Sequence, residues 1–201
     1  NFEVITNFHR THAFIDNSVE QILEKIRTLN NENIQLDHLI ISFHGMQKRR
    51  VVNKGDDYYV HCFETFKLIK NNLTDYQTVN MTMSFQSRFG SEEWITPYTD
   101  DVVKQLITEG NKEIAIYSPS FVVDCLETID ELGFELVHAA KEWGGNIYPI
   151  ECLNVKQKWC EDFAGFVLTH VEGSGKDKEN LEYYLHADEY QEMPPQVLKQ
   201  T

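Results

Sequence analysis

Residues 39–43, Leu-Ile-Ile-Ser-Phe, are an almost unbroken apolar run that stops at His44-Gly45. Such a run is the pattern of a strand buried on both faces. Both faces can be covered only if helices lie above and below the sheet, which points to parallel strands joined by β-α-β crossovers. Three further strands are expected at residues 79–85, 113–117 and 146–152, each about 30–40 residues from the one before. Helical patterns fall between them. Phe14, Ile15, Val19, Ile22, Leu23 and Ile26 recur at three and four over residues 11–29, and residues 58–69, 97–109, 122–132, 135–142 and 156–170 also read as helices. Residues 2–7 alternate weakly, as a short strand would. Residues 45–57 read as a loop, with Lys48-Arg49-Arg50 basic and Gly55-Asp56-Asp57 turn-forming. The expected fold is α/β and Rossmann-like: a four-stranded parallel sheet flanked by helices.

At 201 residues, 41% of them hydrophobic, the chain can bury one good core or two small ones. No apolar run approaches the ~20 residues that span a bilayer. The start, Asn1-Phe2-Glu3, has neither the basic head of a signal peptide nor a methionine, so a fragment or processed piece is expected. Eighteen basic against 32 acidic residues leave a charge of −14. That balance excludes non-specific nucleic-acid binding, which needs a basic footprint, and suits attraction of a cation. Cys62, Cys125, Cys152 and Cys160 form no C-x-x-C pair and read as reduced thiols of a cytoplasmic protein. Beyond Val171 the character changes. Gly173-Ser174-Gly175 resembles a linker, residues 172–192 hold seven acidic and two basic residues, and Pro194-Pro195 follows, so residues 171–201 are expected to form a mobile or loosely docked acidic tail.

In an open α/β sheet, ligands sit beyond the carboxyl ends of the strands. Three such ends, at His44, at Gln86-Ser87-Arg88 and at Ser118 to Phe121, should converge on one rim. Glu127, Glu131 and Glu135 follow the third strand. Four residues of α-helix advance about 400°, so these carboxylates drift by about 40° per step and form one acidic stripe. A solvated face is the usual meaning of such a stripe, since the repulsion costs only a few tenths of a kcal/mol per pair. Gly133 within it suggests a local change of winding, a device that favours functional sites. Singly, His44 fits a hydrogen-bonded structural histidine, Arg88 a surface cation and Trp94 a packing aromatic. A neutral imidazole facing carboxylates can also bind a divalent ion or shuttle protons.

Taken together, ordered blocks carry a resemblance. Ser42-Phe43-His44-Gly45, Gly55-Asp56-Asp57-Tyr58, His61-Cys62, Thr65, Phe85-Gln86-Ser87-Arg88-Phe89-Gly90, Glu93-Trp94, Pro97-Tyr98-Thr99-Asp100 and Asp124-Cys125-Leu126-Glu127-Thr128-Ile129 resemble the C-terminal half of ferrochelatase, most like the Gram-negative bacterial form. The match runs in order from about residue 8 to 168. It implies a chelatase-type domain over residues 11–170, with residues 1–10 as the last strand of an absent N-terminal domain. It also implies insertion of ferrous iron, a substrate, into protoporphyrin IX to form haem, with loss of two pyrrole protons.

By the same resemblance His44 is the proton acceptor or iron ligand facing the macrocycle centre, and Glu127 is the carboxylate across the cleft. Glu131 and Glu135 continue a metal- or proton-conducting line on a π-type helix. Gln86, Ser87 and Arg88 lie near the porphyrin propionates, and Trp94 lies beside the macrocycle. The partners implied are porphyrin, ferrous iron and the absent domain, with a peripheral membrane contact for porphyrin transfer. No cysteine follows residue 160, so no iron–sulfur cluster is expected. Without the other half the chain is expected to be inactive. The alternative is a porphyrin- or haem-binding module without catalysis.

Elementary chemistry agrees with the resemblance. A flat apolar disc with two carboxylates needs an apolar cleft with cationic or hydroxyl groups at its edge, and Arg88 with Lys48-Arg49-Arg50 can supply that edge. An imidazole suits the transfer of pyrrole protons, and carboxylates suit a hard divalent ion.

Overall fold

The computed structural model describes residues 4–74, 79–172 and 181–194. Its four strands are β1 (His38–His44), β2 (Asn80–Gln86), β3 (Glu113–Tyr117) and β4 (Asn146–Pro149). All pair in parallel, in the order β2-β1-β3-β4. The helices are α1 (His12–Asn31), α2 (Lys48–Lys54), α3 (Tyr58–Thr74), α4 (Thr99–Thr108), α5 (Val137–Glu142) and α6 (Gln157–Glu172), with a π-helix over Glu127–Leu136 preceding α5.

Alternation along β1 divides the core. Leu39, Ile41 and Phe43 pack with Ile15, Ile22 and Ile69 of α1 and α3. Ile40 packs on the other face with Val103 and Ile107 of α4, Leu132 and Leu136 of the π-helix, and Ala140 of α5. Each fully buried isoleucine or leucine contributes about 1.5–3 kcal/mol, so two-sided burial of β1 fixes its place in the middle of the sheet. Period two then puts Ser42 and His44 on the same side as Ile40, the side of α4 and the π-helix. The chain leaves β1 towards β2 on one flank and returns to β3 on the other. The crevice between the ends of β1 and β3 is therefore a topological switch point.

Several local expectations are corrected. Of the strand expected over residues 2–7, the described residues 4–7 are without strand pairing, and Phe8–Arg10 is a single 3-10 turn. Residues 48–54 are not loop but the short helix α2, tied down by buried Val51 and closed by Gly55 at φ 66°. Residues 122–125 are irregular rather than helical, and the helix that follows winds as π over ten residues. Strand β4 stops at Pro149, whose missing N–H is tolerated at this sheet edge.

The acidic tail is partly docked. Residues 181–194 lie against the domain: His12 N–H donates to the Leu181 carbonyl at 2.8 Å, Tyr183 N–H to the Arg10 carbonyl at 2.9 Å, and Met193 is buried in the core. Its acids meet cations, with Arg10 Nε 2.8 Å from Glu182 and the buried Lys67 amine 2.8 Å from Glu192. Composition reads as loose here because it does not show which charges find partners. The first three residues, the Gly173-Ser174-Gly175 linker and residues 195–201 lie outside the described residues. No helix among the described residues is long and apolar enough to cross a membrane.

Candidate metal and substrate site

Below the rim, the polar residues that end the strands hold one another. Ser42 Oγ donates to Gln86 Oε1 at 2.8 Å and lies 2.8 Å from Thr99 Oγ1, which in turn lies 2.9 Å from Ser84 Oγ. Ser118 Oγ reaches both the Ser42 carbonyl at 2.8 Å and Gln86 Oε1 at 3.1 Å. All five residues are buried, and their bonds satisfy groups that would each be costly to strand. Gln86 then spans the gap to the opposite wall, its Nε2 donating to the backbone carbonyl of Glu127 at 2.9 Å.

His44 is fixed through its own backbone. Its N–H donates to Ser120 Oγ at 3.0 Å, and its carbonyl accepts from Tyr58 Oη at 2.7 Å. The ring places Nδ1 2.7 Å from the Gly45 carbonyl and meets Phe121 edge-on, with centroids 5.9 Å apart. A carbonyl only accepts, so Nδ1 is the donor in this contact, and Nε2 is the ring nitrogen it leaves uncommitted. Gly45 is required here: a Cβ would stand 2.7 Å from the Gln86 carbonyl and 3.1 Å from the Trp94 ring.

The opposite wall begins with a polar cluster around Asp124. Asp124 accepts from Asn154 Nδ2 at 2.6 Å, from Thr128 Oγ1 at 3.0 Å and from Cys152 N–H at 3.2 Å. Burial opposes its charge, but the Asn154, Cys152 and Thr128 donors outweigh that and hold its carboxyl below the ordinary value. At Glu127 the Cys125 thiol, the residue's own N–H and the His44 ring likewise lower the carboxyl, so it is an anion at neutral pH. The Cys125 thiol is pushed up by burial and by that same bond, and remains a protonated donor. The wider π turn brings position i+4 close to one full turn, so Glu127, Glu131 and Glu135 stay in line.

Glu131 is gripped from β2: Ser87 N–H donates to its Oε1 at 2.7 Å and Ser87 Oγ to its Oε2 at 2.5 Å. Ser87 adopts φ 62°, a left-handed conformation costing about 1–2 kcal/mol, which these two charge-assisted bonds offset. His44, Ser87, Arg88, Glu127, Glu131 and Glu135 line one open cavity of about 410 Å³, with the exposed side chains of Phe89 and Leu126 at its mouth.

The structure thus brings together His44, Ser87, Arg88, Glu127, Glu131 and Glu135. It sends two expected residues inward instead. Gln86 spends its amide on Ser42, Ser118 and the Glu127 carbonyl, and lines a neighbouring cavity of about 350 Å³ with Ser87, Arg88, Glu131 and Glu135. Trp94 is buried, its Nε1–H donating to the Phe89 carbonyl at 3.0 Å, and the ring presented outward is Phe89, 75% exposed. Arg88 stacks on Tyr98 at 4.0 Å and pairs with Asp100 at 2.7 Å. Tyr58, Ser120, Asp124 and Thr128 escaped assignment from sequence. The only available signal was that each lies within or beside an ordered block or a strand end.

An imidazole with Nε2 uncommitted, an ionised carboxylate beside it and a carboxylate line leading outward, all at the switch point of a parallel sheet, form an arrangement chemically able to hold a divalent cation or pass protons. Comparison with known proteins makes the assignment specific. A ferrochelatase family profile matches residues 1–171. Proteins named ferrochelatase are similar in three Gram-negative bacteria. That of Rhizobium etli (strain CIAT 652) is 40% identical over 151 residues, covering 75% of this chain and 42% of the relative. That of Vibrio atlanticus (strain LGP32) is 38% identical over 150 residues, covering 74% and 46%. That of Aliivibrio fischeri (strain MJ11) is 38% identical over 175 residues, covering 85% and 52%. The chain belongs to the ferrochelatase family. It spans about half the length of these curated relatives.

Proposed function

We propose that this chain is the C-terminal catalytic portion of a ferrochelatase, inserting ferrous iron into protoporphyrin IX to give protohaem. The observation that carries the reading is the 2.7 Å contact between His44 Nδ1 and the Gly45 carbonyl. With Nδ1–H committed to the Gly45 carbonyl, Nε2 is left to accept a pyrrole proton or ligate the incoming ion. Glu127 opposes it as an anion, and Glu131 and Glu135 continue outward as a path for the ion's entry or the protons' exit.

The porphyrin's apolar face would lie against Phe89 and Leu126, and Ser87 and Arg88 would meet its propionates once Arg88 exchanges Asp100 for the substrate carboxylate. The open cavity and exposed Leu126 and Ile129 support a partner on this side, the absent N-terminal domain, without which the chain is inactive. The reading also includes a cytoplasmic location, porphyrin exchange at a membrane surface and no iron–sulfur cluster.

Joining the chain to the N-terminal half of a relative and following anaerobic iron or zinc insertion tests the proposal. The wild-type fusion should insert metal, and the isolated chain should not. Porphyrin binding by the fusion without any insertion would favour a binding module instead.

A further inference from the structure

Away from the rim, the turn at Phe8–Arg10 meets α3 and sets His9 beside His61 and Glu64. Two imidazole nitrogens and a carboxylate oxygen lie there within 4.8 Å of one another. His61 and Glu64 are three apart on α3 and so share one helix face. Thr65 Oγ1 donates to the His9 carbonyl at 3.1 Å, holding the turn against the helix. The two rings stack with centroids 4.1 Å apart at 22°, an arrangement that two protonated imidazoles would resist. Glu64 is only 6% exposed, its Oε2 lies 2.5 Å from His9 Nε2, and its Oε1 accepts from Tyr190.

We propose that His9, His61 and Glu64 bind one divalent transition ion of the zinc type, at a site separate from the His44 rim. Two imidazoles and one carboxylate are a three-ligand set that leaves a fourth position for water. Nitrogen donors favour zinc, cobalt(II) or nickel(II) over magnesium or calcium, which take oxygen. On binding, His9 takes the tautomer with its proton on Nδ1 (from the imidazolium, the Nε2 proton leaves to solvent), and His9 Nε2 and Glu64 Oε2 turn to the ion.

One group opposes a cation here: Arg10 Nη1 stands 3.9 Å from Glu64. Its guanidinium is already balanced by Glu182 at 2.8 Å and lies over the Tyr184 ring at 4.7 Å. Bound, the ion would staple the Phe8–Arg10 turn to α3 and, through the Glu64–Tyr190 bond, secure the docked stretch 181–194.

The test uses the 201-residue chain carrying His44→Ala and Cys160→Ser, which removes the rim imidazole and the exposed thiol. Zinc titration by calorimetry should show one site, and cobalt(II) should give ligand-field bands displaced by zinc and untouched by excess magnesium. His9→Gln, His61→Ala and Glu64→Gln should each weaken zinc binding at least about tenfold. His138→Ala, at an exposed histidine elsewhere, should not change it. Glu64→Gln and His9→Gln keep side-chain volume, so they decide the matter if His61→Ala does not fold. Absence of zinc binding in the starting variant, or affinity unmoved by His9→Gln and Glu64→Gln, overturns the proposal. Because His44 is already removed, neither result bears on the rim.

Discussion

The two ends of the sheet are both rich in carboxylates and use them in opposite ways. At the amino ends of the strands, Asp37 accepts from the N–H groups of Lys112 and Glu113 at 2.7 and 2.9 Å. Glu113 accepts from Asn146 at 3.0 Å and from Tyr148 at 2.5 Å, where burial and then this carboxylate push the phenol up to about 12. There the carboxylates hold the backbone together. At the carboxyl ends, that work falls chiefly to hydroxyls and one amide: Ser42, Thr99, Ser118, Ser120, Tyr58 and Gln86. His44 Nε2 and the Glu127 and Glu135 carboxylates are left facing the cavity. A site at the switch point thus needs a neutral scaffold as much as it needs ionisable groups.

Gly45→Ala should break the rim most severely among single scaffold changes. The new Cβ collides with backbone, and overpacking of this kind costs about 1–3 kcal/mol, read as a lower urea midpoint with unchanged slope. Asp124→Ala should cost about 1–3 kcal/mol by stranding the donors of Asn154, Thr128 and Cys152, and in the joined enzyme it should also slow metal insertion by loosening the start of the π-helix. Asp37→Ala, at the other end, should cost about 1 kcal/mol in the same urea titration and leave insertion unchanged. Equal loss of insertion from both aspartates would erase the contrast between the two ends.

Acid should act in the same direction as the Asp124 change. The folded-state pKa of Asp124 is depressed, so its contribution is fully present above the ordinary value of about 3.9 and is lost as pH falls through the lower folded value. Urea midpoints should therefore drop below about pH 4 in the wild type, and less steeply in Asp124→Asn. The smallest effect is expected at Lys158→Ala, which breaks only an exposed pair with Asp162 one helical turn away and should move stability by less than about 0.5 kcal/mol.

The sheet was legible in the sequence because β1 must be covered on both faces, a demand that shows directly as residues 39–43. The order β2-β1-β3-β4 was not, since periodicity fixes faces and not neighbours. His44 could be placed because period two still governs the last residue of a strand. One or two positions further on it no longer does, and where residue type alone read Trp94 as a packing aromatic, the resemblance put it beside the macrocycle; its ring is buried and Phe89 is exposed. Gly133 hinted at altered winding, but the polar cluster where the π-helix begins joins Asp124 and Thr128 to Asn154, thirty residues beyond Asp124 in sequence. The docking of residues 181–194 rests on cations from Arg10 and Lys67, more than a hundred residues away.

The central claim is that His44 and Glu127 act on the metal and the pyrrole protons rather than on the porphyrin's affinity. Anaerobic insertion rate and porphyrin dissociation constant, measured side by side for His44→Ala and Glu127→Gln in the joined enzyme, test it most directly. The account predicts that insertion falls to background in both variants while the dissociation constant stays within a few-fold of wild type. Wild-type insertion rates in both variants would contradict it.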